Sequence, residues 1–427
     1  MNDMEDKKPF KIEVTPSSPY ALTSGNTHLF VQLKIIGTSF IPVKQRNFLN
    51  LGVVLDRSGS MRGKKLQKAK EAVEFIVNNL TSTDIFSFTV YDHSVENVIP
   101  SGVLTSQTSV ISKIRNIRDR GRTNLYGGIL EGVKQVEMWK NKEFRNIILL
   151  LSDGLANEGI TDKMRIKSGV EGIYNEGIGI STFGVGEDFD EDLLVTIADS
   201  AGGTFYFIET ADDIPKCIAQ EFEGLLDTVA YNLEVHWRGI EGLKINRVLG
   251  VPYESRFSDS TKLGDLRSEK EIILILDVIV PPKDLRDSKQ KILDFTICWI
   301  PASGMLKEDK THSICEIIYT ENEDHLIQEV DEIIENAHLL EAVFIHQEVI
   351  NFADQGQFSN AQRTMNQFQQ KLKERIGKTG GSEILEKLQS ANVSILSDML
   401  DEESYSKLSR KKMTSKMYSI RKQNPFP

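Results

Sequence analysis

Between Phe48 and Leu226 short apolar runs alternate with amphipathic stretches, and this alternation constrains the fold more than any other feature of the chain. FLNLGVVL (48–55), IFSFTVY (85–91), NIILLLSD (146–153) and GISTFGVG (179–186) are apolar with little period-two alternation, the pattern of strands covered on both faces. KKLQKAKEAVEFIVNNL (64–80) sets Leu66, Ala69, Val73, Ile76, Val77 and Leu80 at helical spacing, and further helix candidates fall at 108–117, 125–140, 162–176, 190–200 and 211–226. Strands separated by such helices predict βαβ units on a parallel sheet, hence an α/β domain over 46–226.

The flanks follow a different period. LFVQLKI (29–35) turns Leu29, Val31, Leu33 and Ile35 one way, and VAYNLEVHW (229–237) does the same with Val229, Tyr231, Leu233, Val235 and Trp237. More strand candidates lie at 271–280, 291–300 and 313–320. Period-two alternation marks antiparallel strands with one wet face, and a lone N-terminal hairpin has nothing to cover its apolar side. Residues 1–45 and 227–322 are therefore expected to pair into one β-sandwich, split by the α/β domain. Residues 323–427 read as a C-terminal helical region: a long helix over 325–356 ended by Gly356, a second over 359–376 ended by Gly377, and a weakly helical stretch that is basic from Lys407 to Lys422. The turn from Phe352 to Ala361 resembles that of a tetratricopeptide unit, but one unit is too few for a solenoid.

The chemistry concentrates in Asp56-Arg57-Ser58-Gly59-Ser60-Met61, directly after the first buried strand. In an open parallel sheet ligands bind beyond the carboxyl ends of the strands, which is where this loop falls. One carboxylate and two hydroxyls offer hard oxygen ligands suited to Mg²⁺ or Mn²⁺. Asp, Ser and Gly are also ordinary cap and turn residues, so the loop alone leaves both readings open. Two further segments decide between them: Gly121-Arg122-Thr123-Asn124-Leu125 adds a hydroxyl, and Ser152-Asp153-Gly154 ends another buried strand with a carboxylate. Together these three segments resemble a von Willebrand factor A domain with a complete metal-ion-dependent adhesion site.

The resemblance implies a Rossmann-like, doubly wound fold and one bound Mg²⁺ or Mn²⁺. It implies that Ser58 and Ser60 ligate directly, that Asp56 and Asp153 bind directly or through water, and that Thr123 ligates in the ligand-engaged state. Asn157 is read as a brace of the Asp153 loop or as a plain turn residue. A carboxylate from a partner protein would complete the coordination, with Arg57, Met61, Asn124, Leu125 and Tyr126 rimming the contact. The expected function is a Mg²⁺-dependent protein-binding scaffold or adaptor, not an enzyme. Similarity to stand-alone bacterial A-domain proteins adds a phosphatase, kinase or ATPase as expected partners. The alternatives are a metal-dependent hydrolase and a subunit of a metal-chelatase-like ATPase machine. No cysteine-rich zinc module supports a ubiquitin-ligase reading.

Charge and composition set the limits. Lys+Arg 51 against Asp+Glu 62 gives a net charge of −11, unlike the basic excess of nucleic-acid-binding chains and unfavourable for anionic membranes. The 3 cysteines are too few for a disulfide framework, no C-x-x-C spacing offers a zinc site, and Cys298 and Cys315 are expected to stay thiols. The charged start MNDMEDKKPF lacks a secretory core, and the apolar runs fall far short of the roughly 20 residues that span a bilayer, so a cytoplasmic setting is expected. A hydrolase needs a base, and His93 is the one histidine of the α/β block, in a Tyr91-Asp92-His93 turn. Glu187, Asp188, Asp190, Glu191 and Asp192 are read as helix-opening acids that favour the dipole. Gly377-Lys378-Thr379 lacks the first glycine of a phosphate loop, at Leu372, and is read as a helix stop. His338 and His346 lack metalloprotease spacing and default to core or surface. The basic run is read as a solvated face or as a docking segment for an acidic surface, this chain's own included.

Overall fold

The structure, a computed structural model, describes residues 8–38, 48–141, 144–285, 289–302, 308–327, 329–379, 382–397 and 405–422. Strands β1 (Phe10–Pro16), β2 (Tyr20–Leu22) and β3 (Thr27–Gly37) come first. The α/β block follows as β4 (Phe48–Asp56), α1 (Lys64–Asn79), β5 (Ile85–Tyr91), β6 (Val95–Val103), α2 (Gln107–Arg115), α3 (Leu125–Glu137), β7 (Phe144–Ser152), α4 (Lys163–Asn175), β8 (Gly179–Val185), α5 (Glu191–Ser200), β9 (Gly202–Ile208) and α6 (Ile214–Leu226).

The block's sheet has the order β6-β5-β4-β7-β8-β9, parallel throughout except where β6 runs antiparallel to β5. β5 and β8 are buried along their whole length, as the unbroken apolar runs require. α1 and α6 cover one face with Leu66, Val73, Ile76, Ile218 and Phe222. α3, α4 and α5 cover the other with Ile129, Val136, Ile166, Val170 and Leu194. This is the doubly wound α/β fold. Both edge strands were absent from the sequence reading. β6 carries Pro100 and Gly102 and is largely half-exposed, which hides it from an apolar-run criterion. β9 opens with Gly202-Gly203, and a Cβ on Gly203 would stand 2.1 Å from the Ile180 carbonyl oxygen. Here close strand pairing excludes a side chain.

Beyond the block lie β10 (Thr228–Gly239), β11 (Lys244–Leu249), β12 (Ser260–Arg267), β13 (Glu271–Val280), β14 (Lys289–Pro301) and β15 (Asp309–Thr320). They combine with the first three strands into two sheets, β1-β3-β13-β11 and β12-β10-β14-β15-β2. β3 pairs antiparallel with β13 from Ile36↔Glu271 to Thr27↔Val280, so segments on either side of the block share a sheet. Leu33 and Ile35 of one sheet and Val235, Phe295 and Ile297 of the other belong to one buried cluster. Cys298 and Cys315 sit on neighbouring strands but opposite Lys310 and Leu293, and both are free thiols.

Four helices complete the chain: α7 (Asp331–Asp354), α8 (Phe358–Thr379), α9 (Glu383–Ser397) and α10 (Lys407–Arg421). The long helix begins at Asp331, after a separate 3₁₀ turn at Glu323–Ile327. Gly356, with φ of +70°, follows its end. α8 runs through Gly377, so the expected stop there is corrected, and a phosphate loop is excluded because Gly377 and Lys378 are helical. The stretch expected to be weakly helical forms two regular helices. α7 sends Leu340, Val343 and Phe344 into the strand cluster. α10 bridges two cores: Tyr418 enters the α/β cluster, while Met413, Met417 and Ile420 enter the strand cluster.

Candidate metal-binding site

Three loops meet at the carboxyl edge of the sheet, the first after β4, the second just before α3 and the third after β7, and backbone bonds stitch the first to the second and to the end of β5. Arg57 N–H donates to the Tyr91 carbonyl (2.9 Å), Arg120 N–H to Arg57 (2.8 Å) and Gly59 N–H to Gly121 (3.2 Å). The first loop then tightens into a 3₁₀ turn at Gly59–Met61. This framework brings the predicted donors into one place. Ser60 Oγ donates to Asp153 Oδ1 at 2.6 Å and lies 3.0 Å from Ser58 Oγ. Asp56 accepts from the Ser58 N–H at 2.8 Å and from Ser152 Oγ at 2.9 Å. Thr123 Oγ1 and Ser60 Oγ would lie 3.3 and 3.4 Å from a Cβ on Gly154, so that glycine lets the third loop pass between two hydroxyls.

Asp56 and Asp153 are both 0% exposed, Ser58 and Thr123 are buried, and Ser60 is exposed. Burial raises the Asp56 carboxyl to about 6, against the pull of the Ser58 and Ser152 hydrogen bonds and with the Asp153 charge adding to the rise. A cation at this point relieves that cost. The donor set therefore fits a hard divalent ion: two carboxylates balance its charge, and neutral hydroxyls fill positions without adding more. Among the described residues no group of three His, Cys, Asp or Glu side chains is arranged for a metal, so a site here depends on its hydroxyls.

Asn157 braces the Thr123 loop: its Oδ1 accepts the Thr123 N–H at 2.9 Å, and its own N–H donates to the Thr123 carbonyl at 3.1 Å. It thereby ties the second loop to the third. The expected contact rim needs correction. Arg57 is buried, its Nε bonded to Asp92 Oδ2 and its Nη2 to Glu96 Oε2, each at 2.8 Å. Met61 and Leu125 are buried in the two core clusters. Asn124 caps α3 by accepting the Gly127 N–H, and Tyr126 is half-buried. Among the side chains that reach solvent from the same loops are Arg62, Arg122 and Leu155, and Leu155 is 55% exposed.

Two residues at the site escaped the sequence reading. Asp92 is fully buried and gathers Arg57, Arg120 and Ser94. Burial pushes its carboxyl up, but the Arg120, Ser94 and Arg57 bonds outweigh that and hold it at about 2. Its place in the Tyr91-Asp92-His93 turn was visible, its partners were not. The second is Lys65, whose Nζ lies 2.5 Å from Asp153 Oδ2. His93 is exposed, with Nδ1 3.1 Å from Asp92, and its ring packs on Gly121, where a Cβ would approach Nδ1 to 2.1 Å. Away from the site, Asp190 caps α5 by accepting the Leu193 N–H, and Glu191 and Asp192 bind Arg410 of α10. His338 pairs with Glu341 and His346 with Asn392, all inside the helical region.

The fold recurs in known proteins. Residues 50–220 match the family model of the von Willebrand factor type A domain. The chain is 26% identical over 274 residues to the Escherichia coli (strain K12) protein YfbK, covering 62% of this chain and 46% of that protein. It thus spans about half the length of that relative. Among solved structures, a von Willebrand factor type A protein from Catenulispora acidiphila superposes with a TM-score of 0.63 at 15% identity, covering 86% of this chain and 88% of the other. The ArnB paralog VWA2 from Sulfolobus acidocaldarius gives 0.62 at 18% identity, covering 96% and 98%. These likenesses extend to the fold. Residues 50–220 form a von Willebrand factor type A domain, a module typically used for protein interaction or adhesion.

Proposed function

We propose that this chain is a divalent-metal-dependent protein-binding scaffold, with Mg²⁺ or Mn²⁺ held by Asp56, Ser58, Ser60, Thr123 and Asp153. One observation carries the reading: two fully buried carboxylates meet a pair of serine hydroxyls 3.0 Å apart at the carboxyl edge of a parallel sheet. A bound ion would supply an electrophilic point able to accept a carboxylate oxygen. The protein's own part is to hold the donors in place, through the Asp92 and Asn157 bracing, and to frame the opening with Leu155, Arg62 and Arg122. An acidic side chain of a partner protein is the ligand this chemistry selects. The reading is non-enzymatic, since His93 packs on Gly121 and Asp92 without a role at the donors. Three free thiols fit a reducing, cytoplasmic setting. The test is capture of partners by the full chain with Mg²⁺ and with EDTA, beside Asp153→Ala. Partners lost in EDTA and in the variant support the model; a partner set indifferent to both refutes it.

A further inference from the structure

Lys65 is the second residue of α1, a helix whose first turn holds no acidic side chain and whose cap, Gly63, offers no side-chain acceptor. A cation there opposes the helix dipole, so the position does nothing for the helix itself. Its ammonium instead reaches the candidate metal site. Nζ lies 2.5 Å from Asp153 Oδ2, the oxygen that Ser60 leaves free. It passes beside the end of β8, where a Cβ on Gly186 would be 3.3 Å from it. Asp153 is 0% exposed, and a buried carboxylate without a counter-charge is costly.

We propose that Lys65 is a tethered cation that competes with the metal for Asp153: it neutralises the carboxylate when no ion is bound and must leave Oδ2 when one binds. The inference rests on the metal-site reading above. It makes the site a two-state device in which the fold tolerates metal loss, and metal affinity is lowered by the amount the ammonium contributes. Lysine suits this role because its charge sits on a flexible four-carbon stem, and its side chain is 28% exposed, which leaves a path out.

The test uses the full chain, with Mg²⁺ or Mn²⁺ alone as the probe. Titration calorimetry should show Lys65→Met binding Mn²⁺ roughly tenfold more tightly than wild type, within the usual range of coupling between competing ligands, while its melting temperature in EDTA falls. Lys65→Arg should stay near wild type. On the unmodified protein, amine labelling read by mass spectrometry should find Lys65 protected in EDTA and reactive in Mg²⁺, a result that needs no variant to fold. Equal affinities in wild type and Lys65→Met, or labelling of Lys65 unchanged by an ion that does bind, would overturn the competition and leave the metal site standing. Absence of binding to either protein would overturn both.

Discussion

Asp56, Ser58, Ser60, Thr123 and Asp153 lie together because the loops after β4 and β7 and the segment before α3 converge at one edge of the sheet. Their neighbours obeyed a different logic. Arg57 and Met61 alternate with the donors along the loop and are turned inward by the 3₁₀ turn and by Asp92, a partner distant in sequence. His346 is another residue whose character only packing decides. It is fully buried on α7, with Asn392 on its Nε2 at 2.8 Å and, among the described residues, no hydrogen-bond partner for its Nδ1. Burial, reinforced by nearby Lys416, lowers its pKa to about 4. The unfolded chain takes up this proton below its ordinary value near 6.5, whereas the folded protein does not until about 4. The penalty is therefore absent above pH 6.5, grows as the pH falls, and levels off below about 4 at roughly 3 kcal/mol. Urea midpoints measured from pH 7 to pH 4 should fall, and the paired change His346→Leu with Asn392→Leu should flatten that part of the slope.

At the scale of elements, the basic C-terminal run is a helix that grips the α/β domain. Arg410 reaches Glu191, Asp192 at 2.9 Å and Asp354 at 2.9 Å, Lys411 reaches Glu191, and Lys412 and Arg421 pair with Glu209 and Asp199. Tyr418 meets Phe205 edge-on, with ring centroids 5.6 Å apart, and its hydroxyl donates to the Gly203 carbonyl at 3.3 Å. α10 thus covers the outer strand β9 and hides the kind of open edge that invites pairing with other chains. The acids at 190–192 serve both their own helix and this contact. Arg410→Ala leaves three carboxylates around one point without their shared counter-charge. It should cost about 2 kcal/mol, below the full value for a buried pair because the cluster is partly wet. Denaturation in low and in high salt should show the loss shrinking as salt screens the repulsion. The charge pattern left a solvated face and a docking segment both open, because charge alone names no address.

Across the whole molecule, α6 leads directly into β10, and one buried group holds that junction. Glu221 of α6 accepts from Ser181 Oγ at 2.6 Å, from the Tyr206 hydroxyl at 2.8 Å and from Arg267 of β12 at 2.5 Å. The Arg267 guanidinium lies so close to Gly224 that a Cβ there would be 2.1 Å from Nη1, so the helix needs glycine to accept it. Arg267→Met should destabilise the fold by about 3 kcal/mol by stranding a buried carboxylate, and adding Glu221→Leu should recover most of that, as apolar replacements of whole buried pairs do. Thermal melts of the two variants and their combination measure it. The parallel sheet, its helices on both faces and the choice of five oxygen-bearing candidates were legible in the residue pattern alone. Strand and helix periods and loop motifs are local, written in residues a few positions apart. Folding had to bring Lys65 to Asp153, turn Arg57, Met61 and Leu125 inward, close the sheet with β6 and β9, and fasten the domain to its neighbours through α10 and Arg267. Each of those contacts joins segments distant along the chain, and its energy comes from burial and charge pairing that exist only after the segments have met.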